Sequence, residues 1–201
     1  MINARELILA AAVLMGPLAA HAAPTITNGS FETADLTGWS GTATTDGAGY
    51  NPFGTTYGSG MDGAHWMWLA GFERGRTLEQ TVLGLSAGTA YRVSFIMASE
   101  FTSSDQLNFS LDGGPQTLFT VSPMSTTFWD NWEEKTYDFT ASAPSATLQF
   151  SSVGLNTGGY DVGLDNVRIA AIGPTAIPEP ASLALVGLGL VGLVLGKRRK
   201  L

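Results

Sequence analysis

The sequence predicts an all-β fold, an antiparallel sandwich or jelly roll of roughly nine short strands. Apolar and polar residues alternate with a period of two, most clearly over residues 91–97 and 107–111. This alternation dominates over any helical periodicity in the central region. Gly, Pro, Asn and Asp interrupt the alternating runs at short intervals, which is typical of turns between strands.

The individual strands follow from the same pattern. Residues 107–111 run into the turn Asp112-Gly113-Gly114-Pro115, which predicts a hairpin. Residues 40–61, rich in Gly, Thr and aromatic side chains, are too long for an ordinary connection and are expected to form either a binding loop or a mobile segment. We expect further strands near Thr25 and at residues 65–70, 77–83, 117–121, 133–140, 146–152 and 161–171.

Residues 1–22 have the features of an export signal. Arg5 precedes an apolar stretch, and the small-residue site Ala20-His21-Ala22 follows that stretch. This order predicts a secretory signal peptide that is cleaved after Ala22. The β-rich domain would then occupy residues 23–172.

The C-terminal region has the features of a membrane segment. Residues 173–180 form a Pro-rich linker that contains Pro178, Glu179 and Pro180. The apolar residues 181–196 would form a helix of roughly 24 Å, which can cross a bilayer if the bilayer thins slightly. The basic residues 197–201 predict a cytoplasmic tail by the positive-inside rule.

The Pro-Glu-Pro tripeptide, the Leu/Gly-rich apolar segment and the basic tail together resemble the PEP-CTERM sorting signal of Gram-negative bacteria. The resemblance implies that the chain is held in the inner membrane until an exosortase recognises residues 178–180 and removes the helix. The protein would then reside at the cell surface or outside the cell, usually in bacteria that make extracellular polysaccharide. An ordinary single-pass anchor is the alternative.

The region between the two ends is acidic and lacks cysteine. Residues 24–172 contain 15 Asp or Glu against five Arg or Lys, a net charge of −10. This charge argues against nucleic acid as a partner, because few cations could replace the counterions of a phosphate backbone. An acidic surface fits solubility or divalent cations better. With no cysteine, the chain has no disulfides, no cysteine nucleophile and no cysteine ligands for zinc.

An enzyme has little support in the sequence. His65 is the one histidine left after signal-peptide removal, and its apolar, aromatic strand favours a packed role over a catalytic triad. Glu133-Glu134 and the pair Asp161 and Asp165 offer carboxylates for glycoside hydrolysis. Neighbours on one strand point to opposite faces, however. We therefore predict no catalytic residues.

Asp165 is a candidate metal ligand. It has the same strand parity as Val167 and Ile169, so its carboxylate is expected to point inward if they face the core, with Arg168 on the opposite face. A buried carboxylate needs a cation or several hydrogen-bond donors. Calcium would satisfy it, because calcium favours oxygen ligands. The alternative is that Asp165-Asn166 forms a turn or accepts bonds from local backbone amides.

Three separated segments resemble galactose-binding-like jelly rolls, which include carbohydrate-binding modules of the family 4, 9 and 22 type and DUF642-like surface proteins. The segments are Asn28-Gly29-Ser30-Phe31-Glu32 with Gly38-Trp39, then Met61-Asp62-Gly63-Ala64-His65, and finally Gly163-Leu164-Asp165-Asn166-Val167. The stretch Leu78-Glu79-Gln80-Thr81-Val82 with residues 88–95, in the middle of the domain, is also part of the resemblance. The resemblance implies a structural calcium ion that joins the first and last strands. It places the main-chain oxygens of Ser30 and His65 and the carboxylates of Glu32, Asp62 and Asp165 around that ion.

Sugar binding would require exposed aromatic rings with polar groups beside them. Trp66 and Trp68 share one face of a predicted strand, and the other candidates lie in predicted loops: Trp129, Tyr50 and Tyr57. Trp129 lies beside Asp130 and Asn131 and is the preferred single candidate. Trp39 and Trp132 are expected in the core.

The sequence therefore predicts an exported β-sandwich that binds carbohydrate, such as an exopolysaccharide, without catalysis and with a structural calcium ion. A purely structural or adhesive surface protein of a biofilm, which binds proteins or itself, is the alternative. A glycoside-active enzyme is the least favoured one.

Overall fold

A computed structural model describes residues 22–43, 53–55, 62–69, 76–100, 105–123, 131–153 and 162–173, with the backbone alone for residues 53–55. The chain from Ala22 to Gly173 forms one compact unit. The sorting tripeptide Pro178-Glu179-Pro180, the apolar segment and the basic tail lie outside the described residues. Within the described residues, no helix is long and apolar enough to cross a membrane.

In the described residues, ten antiparallel strands form two five-stranded sheets. The first sheet has the order β1-β4-β9-β6-β7, and the second has the order β2-β3-β10-β5-β8. The strands are β1 (Ser40–Gly41), β2 (Phe53–Thr55), β3 (His65–Leu69), β4 (Thr77–Leu83), β5 (Ala90–Ser99), β6 (Gln106–Leu111), β7 (Thr117–Thr120), β8 (Glu133–Thr140), β9 (Ser145–Ser152) and β10 (Val162–Ala171). The predicted all-β sandwich is confirmed.

Aromatic and branched side chains from both sheets form the core between them. Phe95 of the second sheet packs edge-on against Phe150 of the first, with ring centroids 5.1 Å apart. Trp39, which precedes β1, also reaches Phe150, at 6.2 Å. The alternation seen in the sequence therefore reflects burial of one face of each sheet.

The strand expected near Thr25 is not present, because residues 22–26 have no regular secondary structure. The backbone of Thr27 forms its hydrogen bonds with the side chain of Gln80 and not with a neighbouring strand. Gln80 Oε1 accepts a bond of 2.7 Å from the Thr27 amide, and Gln80 Nε2 donates a bond of 2.9 Å to the Thr27 carbonyl. Residues 40–61, expected as a loop, contribute the two short edge strands β1 and β2.

A β-bulge interrupts β10 between Asp165 and Arg168, and Asn166 has a φ of 50°. Asp165 lies opposite Ile96, and Arg168 lies opposite Ser94. Ile96 and Ser94 are two residues apart on β5 and therefore share a face.

The bulge corrects the orientation predicted for Asp165. Leu164 before the bulge and Val167 after it both belong to the core. Asp165 therefore does not share a face with Val167 and Ile169, and its register places it on the same side as Arg168. The extra residue of a bulge reverses the strand parity, which simple alternation cannot reveal.

Candidate functional site: three joined segments and a tryptophan cluster

The structure brings together the three segments that the calcium prediction used. Glu32 accepts hydrogen bonds of 2.8 Å from the amides of both Ala64 and His65 through its Oε1 atom. Its carboxylate lies directly over Gly63, where a Cβ atom would approach Glu32 Cδ to 2.4 Å. Gly63 also has a φ of 73°, a conformation that favours glycine. Glu32 thus holds residues 62–65 in place.

The side chain of Asp165 is fully buried and anchors the same segment from β10. Its Oδ2 accepts a bond of 2.8 Å from the Asp62 amide, and its Oδ1 accepts one of 2.6 Å from the Asn166 amide. Burial raises the pKa of Asp165 to about 7, the two amide donors oppose this rise, and the charges of Asp62 and Glu32 add to it. Burial of the carboxyl, as predicted, occurs despite the incorrect parity argument.

The first segment joins β10 through the backbone. The Val167 amide donates a bond of 2.8 Å to the Gly29 carbonyl. A Cβ atom on Gly29 would lie 2.1 Å from the Val167 carbonyl oxygen, so only glycine allows this approach. Ser30 follows directly, in the turn that ends at that residue.

The residues fit a calcium ion in their chemistry, although the carboxylates of Glu32 and Asp165 are engaged with amides. Glu32, Asp62 and Asp165 supply oxygen atoms close enough for their charges to interact, and Asp165 is a buried acid among like charges. The Glu32 Oε2 atom lies 3.9 Å from His65 Nδ1. In the described residues, however, no group of three or more Asp, Glu, His or Cys side chains converges to form a metal site. Asp165 accepts hydrogen bonds from backbone amides, which is the alternative to calcium that the sequence left open.

A tryptophan cluster covers part of the outer face of the second sheet. The cluster consists of Trp66 and Trp68 on β3, Trp132 before β8 and Ala98 on β5. The Trp66 ring lies 6.3 Å from Trp68 and 5.7 Å from Trp132, the latter nearly perpendicular. Trp66 is 1% exposed, whereas Trp68 and Trp132 are half-buried.

The cluster confirms one expectation about the aromatic residues and corrects another. Trp66 and Trp68 share a face, because Met67 and Leu69 on the alternate positions belong to the core. Trp39 is in the core as predicted, but Trp132 is not, because it packs against Trp66 on the outside. Trp132 has the strand parity of the outward residues of β8, a signal in the sequence that would have identified it.

The remaining aromatic candidates, Trp129, Tyr50 and Tyr57, lie outside the described residues. Of the two described candidates, Trp68 is the more exposed, being half-buried. Trp66 is too deeply buried for its ring to contact a sugar, so it supports the neighbouring tryptophans instead.

A polar network next to the cluster was not found from the sequence. Asn131 Oδ1 accepts a bond of 3.1 Å from the Ser99 amide, and its Nδ2 donates to the Ser122 carbonyl. Ser99 Oγ in turn donates a bond of 2.7 Å to the buried Asp105. Asn131 thereby joins the end of β5 to the segment before β8 and fixes the backbone that carries Trp132.

The neighbouring carboxylates Glu133 and Glu134 do not face each other, and Asp161 of the other pair considered for hydrolysis lies outside the described residues. Glu133 bonds the Ser122 amide and Lys135, while Glu134 bonds Arg168. Glu133 has the inward parity of Tyr137, and Glu134 is exposed on the outer face. The predicted separation of these two neighbours to opposite faces is confirmed.

Comparison with known proteins identifies the tail. Residues 176–200 match the PEP-CTERM protein-sorting motif. The chain therefore carries this motif at its C-terminus, and the motif implies exosortase processing, export and surface sorting in Gram-negative bacteria. No curated protein matches the chain.

Solved structures similar to this chain include carbohydrate-binding-module jelly rolls. TmCBM61 in complex with beta-1,4-galactotriose is 22% identical, with 73% of this chain and 97% of that chain covered and a TM-score of 0.47. A CBM4 structure is 20% identical, with coverage of 68% and 96% and a TM-score of 0.42. The enzymatically active domain of bacteriophage CBA120 tailspike protein 4 is 15% identical, with coverage of 73% and 21% and a TM-score of 0.50. These likenesses concern the fold alone.

Proposed function

We propose that the β-sandwich binds extracellular polysaccharide on the outer face of its second sheet and leaves the polysaccharide chemically unchanged. The tryptophan cluster is the observation that supports this function. Flat aromatic rings stack on sugar rings, and nearby polar groups bond the hydroxyls. Trp68 is the ring that would contact the sugar, with Trp66 and Trp132 holding it in position.

The two outer faces differ in a way that favours the second sheet. The described outward side chains of the first sheet are mainly hydroxyls and amides, and they include Thr81, Thr147, Gln149 and Asn108. Such a face lacks the flat apolar surface that a pyranose ring needs. In the described residues, the tryptophans outside the core therefore support the second sheet as the proposed binding face.

A non-catalytic role is part of the proposal. Hydrolysis of a glycosidic bond needs two carboxyl groups that flank the bond. Glu134 on the outer face is engaged with Arg168, and its neighbour Glu133 points inward. This division supports binding without hydrolysis.

We also propose a structural calcium ion at the junction of the three segments. It would be held by Glu32, Asp62, Asp165 and the main-chain oxygens of Ser30 and His65. A bound cation would neutralise the buried Asp165 carboxylate and the two acids near it. The ion would stabilise the attachment of the first segment to β10.

The sorting motif supports a site of action outside the cytoplasm for this proposed function. We propose that an exosortase cleaves near residues 178–180 while the chain is held in the inner membrane. The released sandwich would then act at the cell surface or in the extracellular matrix.

The binding function is tested with the full chain in mild detergent, by its retention on a panel of immobilised polysaccharides. We expect retention on at least one polysaccharide and its loss in Trp68→Ala. Leu83→Ala is the matched control, because Leu83 is an apolar residue 69% exposed on the first sheet. If no polysaccharide retains the parent chain, while the chain binds itself or other surface proteins, the structural or adhesive alternative replaces this function.

A further inference from the structure

Two arginine–carboxylate pairs continue the outer face of the second sheet beyond the tryptophan cluster. Arg92 on β5 forms a two-bond fork with Asp138 on β8, with both N–O distances 2.7 Å. Arg168 on β10 reaches over β5 to Glu134 on β8, at 2.5 Å. All four side chains are about half exposed, so they present hydrogen-bonding groups to solvent.

The pairs lie in line with the tryptophans. Ala98 beneath the cluster and Arg92 are six residues apart on the same face of β5, a distance of about 20 Å at ~3.3 Å per residue. Ser94 and Thr136 lie opposite each other between the two pairs. A strip of surface thus begins with aromatic rings and continues with planar, polar groups.

The charge of this strip is balanced, in contrast to the rest of the domain. Residues 24–172 have five Arg or Lys against 15 Asp or Glu, and two of those five cations lie here. Each of these two arginines is paired with one carboxylate. The hydrogen bond that Arg92 donates to Asp138 raises the pKa of Arg92 and lowers the pKa of Asp138, so both groups stay ionised around neutral pH.

We propose that the two pairs select an uncharged polysaccharide in an extended conformation, with several sugar units spanning the strip from the tryptophan cluster to Arg92 and Asp138. This inference rests on the proposed polysaccharide-binding function and adds the class of ligand. The remaining N–H groups and lone pairs of the two forks donate to and accept from sugar hydroxyls.

An anionic polysaccharide does not fit this strip. Glu134 and Asp138 already occupy the guanidinium groups that would bind a uronate carboxylate. A uronate chain would also approach a domain of net charge −10, which repels it at low salt. A single sugar unit, in turn, cannot reach both the tryptophans and the distant pair.

The length of the ligand is tested by calorimetric titration of the full chain in detergent with a neutral polysaccharide that it retains, and with fragments of one to six sugar units. We expect affinity to rise at least tenfold from the shortest to the longest fragments. Arg92→Gln combined with Asp138→Asn should reduce the affinity of long fragments several-fold and leave that of short fragments unchanged. Thr81→Val with Thr147→Val is the matched control, because these hydroxyls form a 3.0 Å cross-strand pair on the first sheet.

The charge of the ligand is tested by removing the two carboxylates. Glu134→Gln with Asp138→Asn leaves Arg92 and Arg168 unneutralised, and we expect this variant to bind a polyuronate at least tenfold more tightly than the parent does at low salt. Unfolding midpoints should stay close to those of the parent, because exposed ion pairs contribute little to stability. That measurement separates a binding effect from misfolding.

The outcomes distinguish this inference from the function on which it rests. If Trp68→Ala binds neutral polysaccharide as tightly as the parent, or the parent binds none, the proposed function fails and the inference with it. If binding depends on Trp68 but is equal for short and long fragments, or the parent prefers polyuronate, only the inference is overturned. The inference alone is also overturned if the Glu134→Gln, Asp138→Asn variant gains no affinity for polyuronate.

Discussion

At the scale of single residues, Asp165 is where charge and burial conflict most. Its carboxyl has no exposed surface, and the charged groups that raise its pKa, Asp62 and Glu32, are also negative. The backbone amides of Asp62 and Asn166 offset only part of the cost, because the pKa of Asp165 remains raised to about 7. A proton or a cation is needed to stabilise this group fully.

The raised pKa predicts how stability changes with pH. Because the folded-state pKa of about 7 exceeds the ordinary value of 3.8, the contribution of Asp165 is fully present below about pH 4 and is lost as the pH rises toward 7. With chelator present, the unfolding free energy of the parent relative to Asp165→Asn should fall by roughly 4 kcal/mol over this range, at ~1.36 kcal/mol per pKa unit. Denaturant unfolding at several pH values measures it, and a pH-independent difference would contradict it.

The sequence grouped the acids of this candidate site only through the resemblance to galactose-binding-like jelly rolls. Glu32, Asp62 and Asp165 were grouped from three separated motifs, and the hydrogen bonds of Glu32 and Asp165 to residues 62–65 join those motifs in space. The amide partners could not be predicted, because they depend on the backbone path of residues 62–65. Trp132 was misassigned because its outward strand parity, shared with Glu134 and Thr136 of β8, was not applied to it.

At the scale of secondary-structure elements, the attachment of the first segment to β10 depends on close backbone contact. The eight strands from β3 to β10 were predictable because their alternation follows burial. The attachment and the bulge at Asp165 were not predictable. The bulge adds a residue to the strand and the attachment is a backbone contact, and neither produces a periodic pattern in the sequence. Likewise, the side chain of Gln80 forms hydrogen bonds with the backbone amide and carbonyl of Thr27, as a neighbouring strand would.

Gly29→Ala tests this attachment. The added Cβ would meet the Val167 carbonyl at 2.1 Å, so the bond between Gly29 and Val167 must open. We expect a loss of about 2–3 kcal/mol in unfolding free energy. Gly88→Ala is the control, since a Cβ there meets nothing within 4 Å. This substitution should cost only the strain of a positive φ, about 1 kcal/mol of unfolding free energy. Equal losses in the two variants would disprove the close contact.

The long edge strand β8 carries charged residues on its inner side. Lys135 pairs with Glu133 at 2.6 Å, and both have the inward parity of Tyr137. Charges placed this way discourage pairing with another edge strand. The other edge strands, β1, β2 and β7, have two to four residues each and offer little to pair with.

Replacing Glu133 and Lys135 together with valine should promote association. The variant would present an alternating edge of eight residues whose inner side is uncharged, which favours edge-to-edge pairing. Size-exclusion chromatography with light scattering should show dimers or larger species, whereas Thr136→Val on the outer face should remain like the parent. A monomeric double variant would show that the pair does not protect this edge.

At the scale of the whole molecule, the chain combines a sorting motif with a sandwich whose two outer faces differ. The motif at residues 176–200 implies export and surface sorting. The sandwich offers one face of hydroxyls and amides and another with tryptophans and balanced charges. This asymmetry is the basis for assigning polysaccharide binding to the second sheet.

Calcium should stabilise the whole sandwich if the three-segment junction binds it. At about 100 times its dissociation constant, a ligand bound only to the folded state adds about 2.7 kcal/mol, which corresponds to a rise of several degrees in the unfolding midpoint. Calorimetric melting above pH 7 with calcium or with chelator measures the shift. The shift should disappear in Asp165→Asn, and an identical midpoint for the parent in both buffers would remove calcium from the account.

The most direct test of polysaccharide binding by the second sheet is calorimetric titration of the full chain with its retained polysaccharide, compared with Trp68→Ala. Removal of one stacking ring should weaken binding on the order of tenfold or more, because each ~1.4 kcal/mol changes affinity tenfold. Leu83→Ala on the first sheet should bind like the parent. Unchanged affinity in Trp68→Ala would show that the tryptophan face is not the binding site.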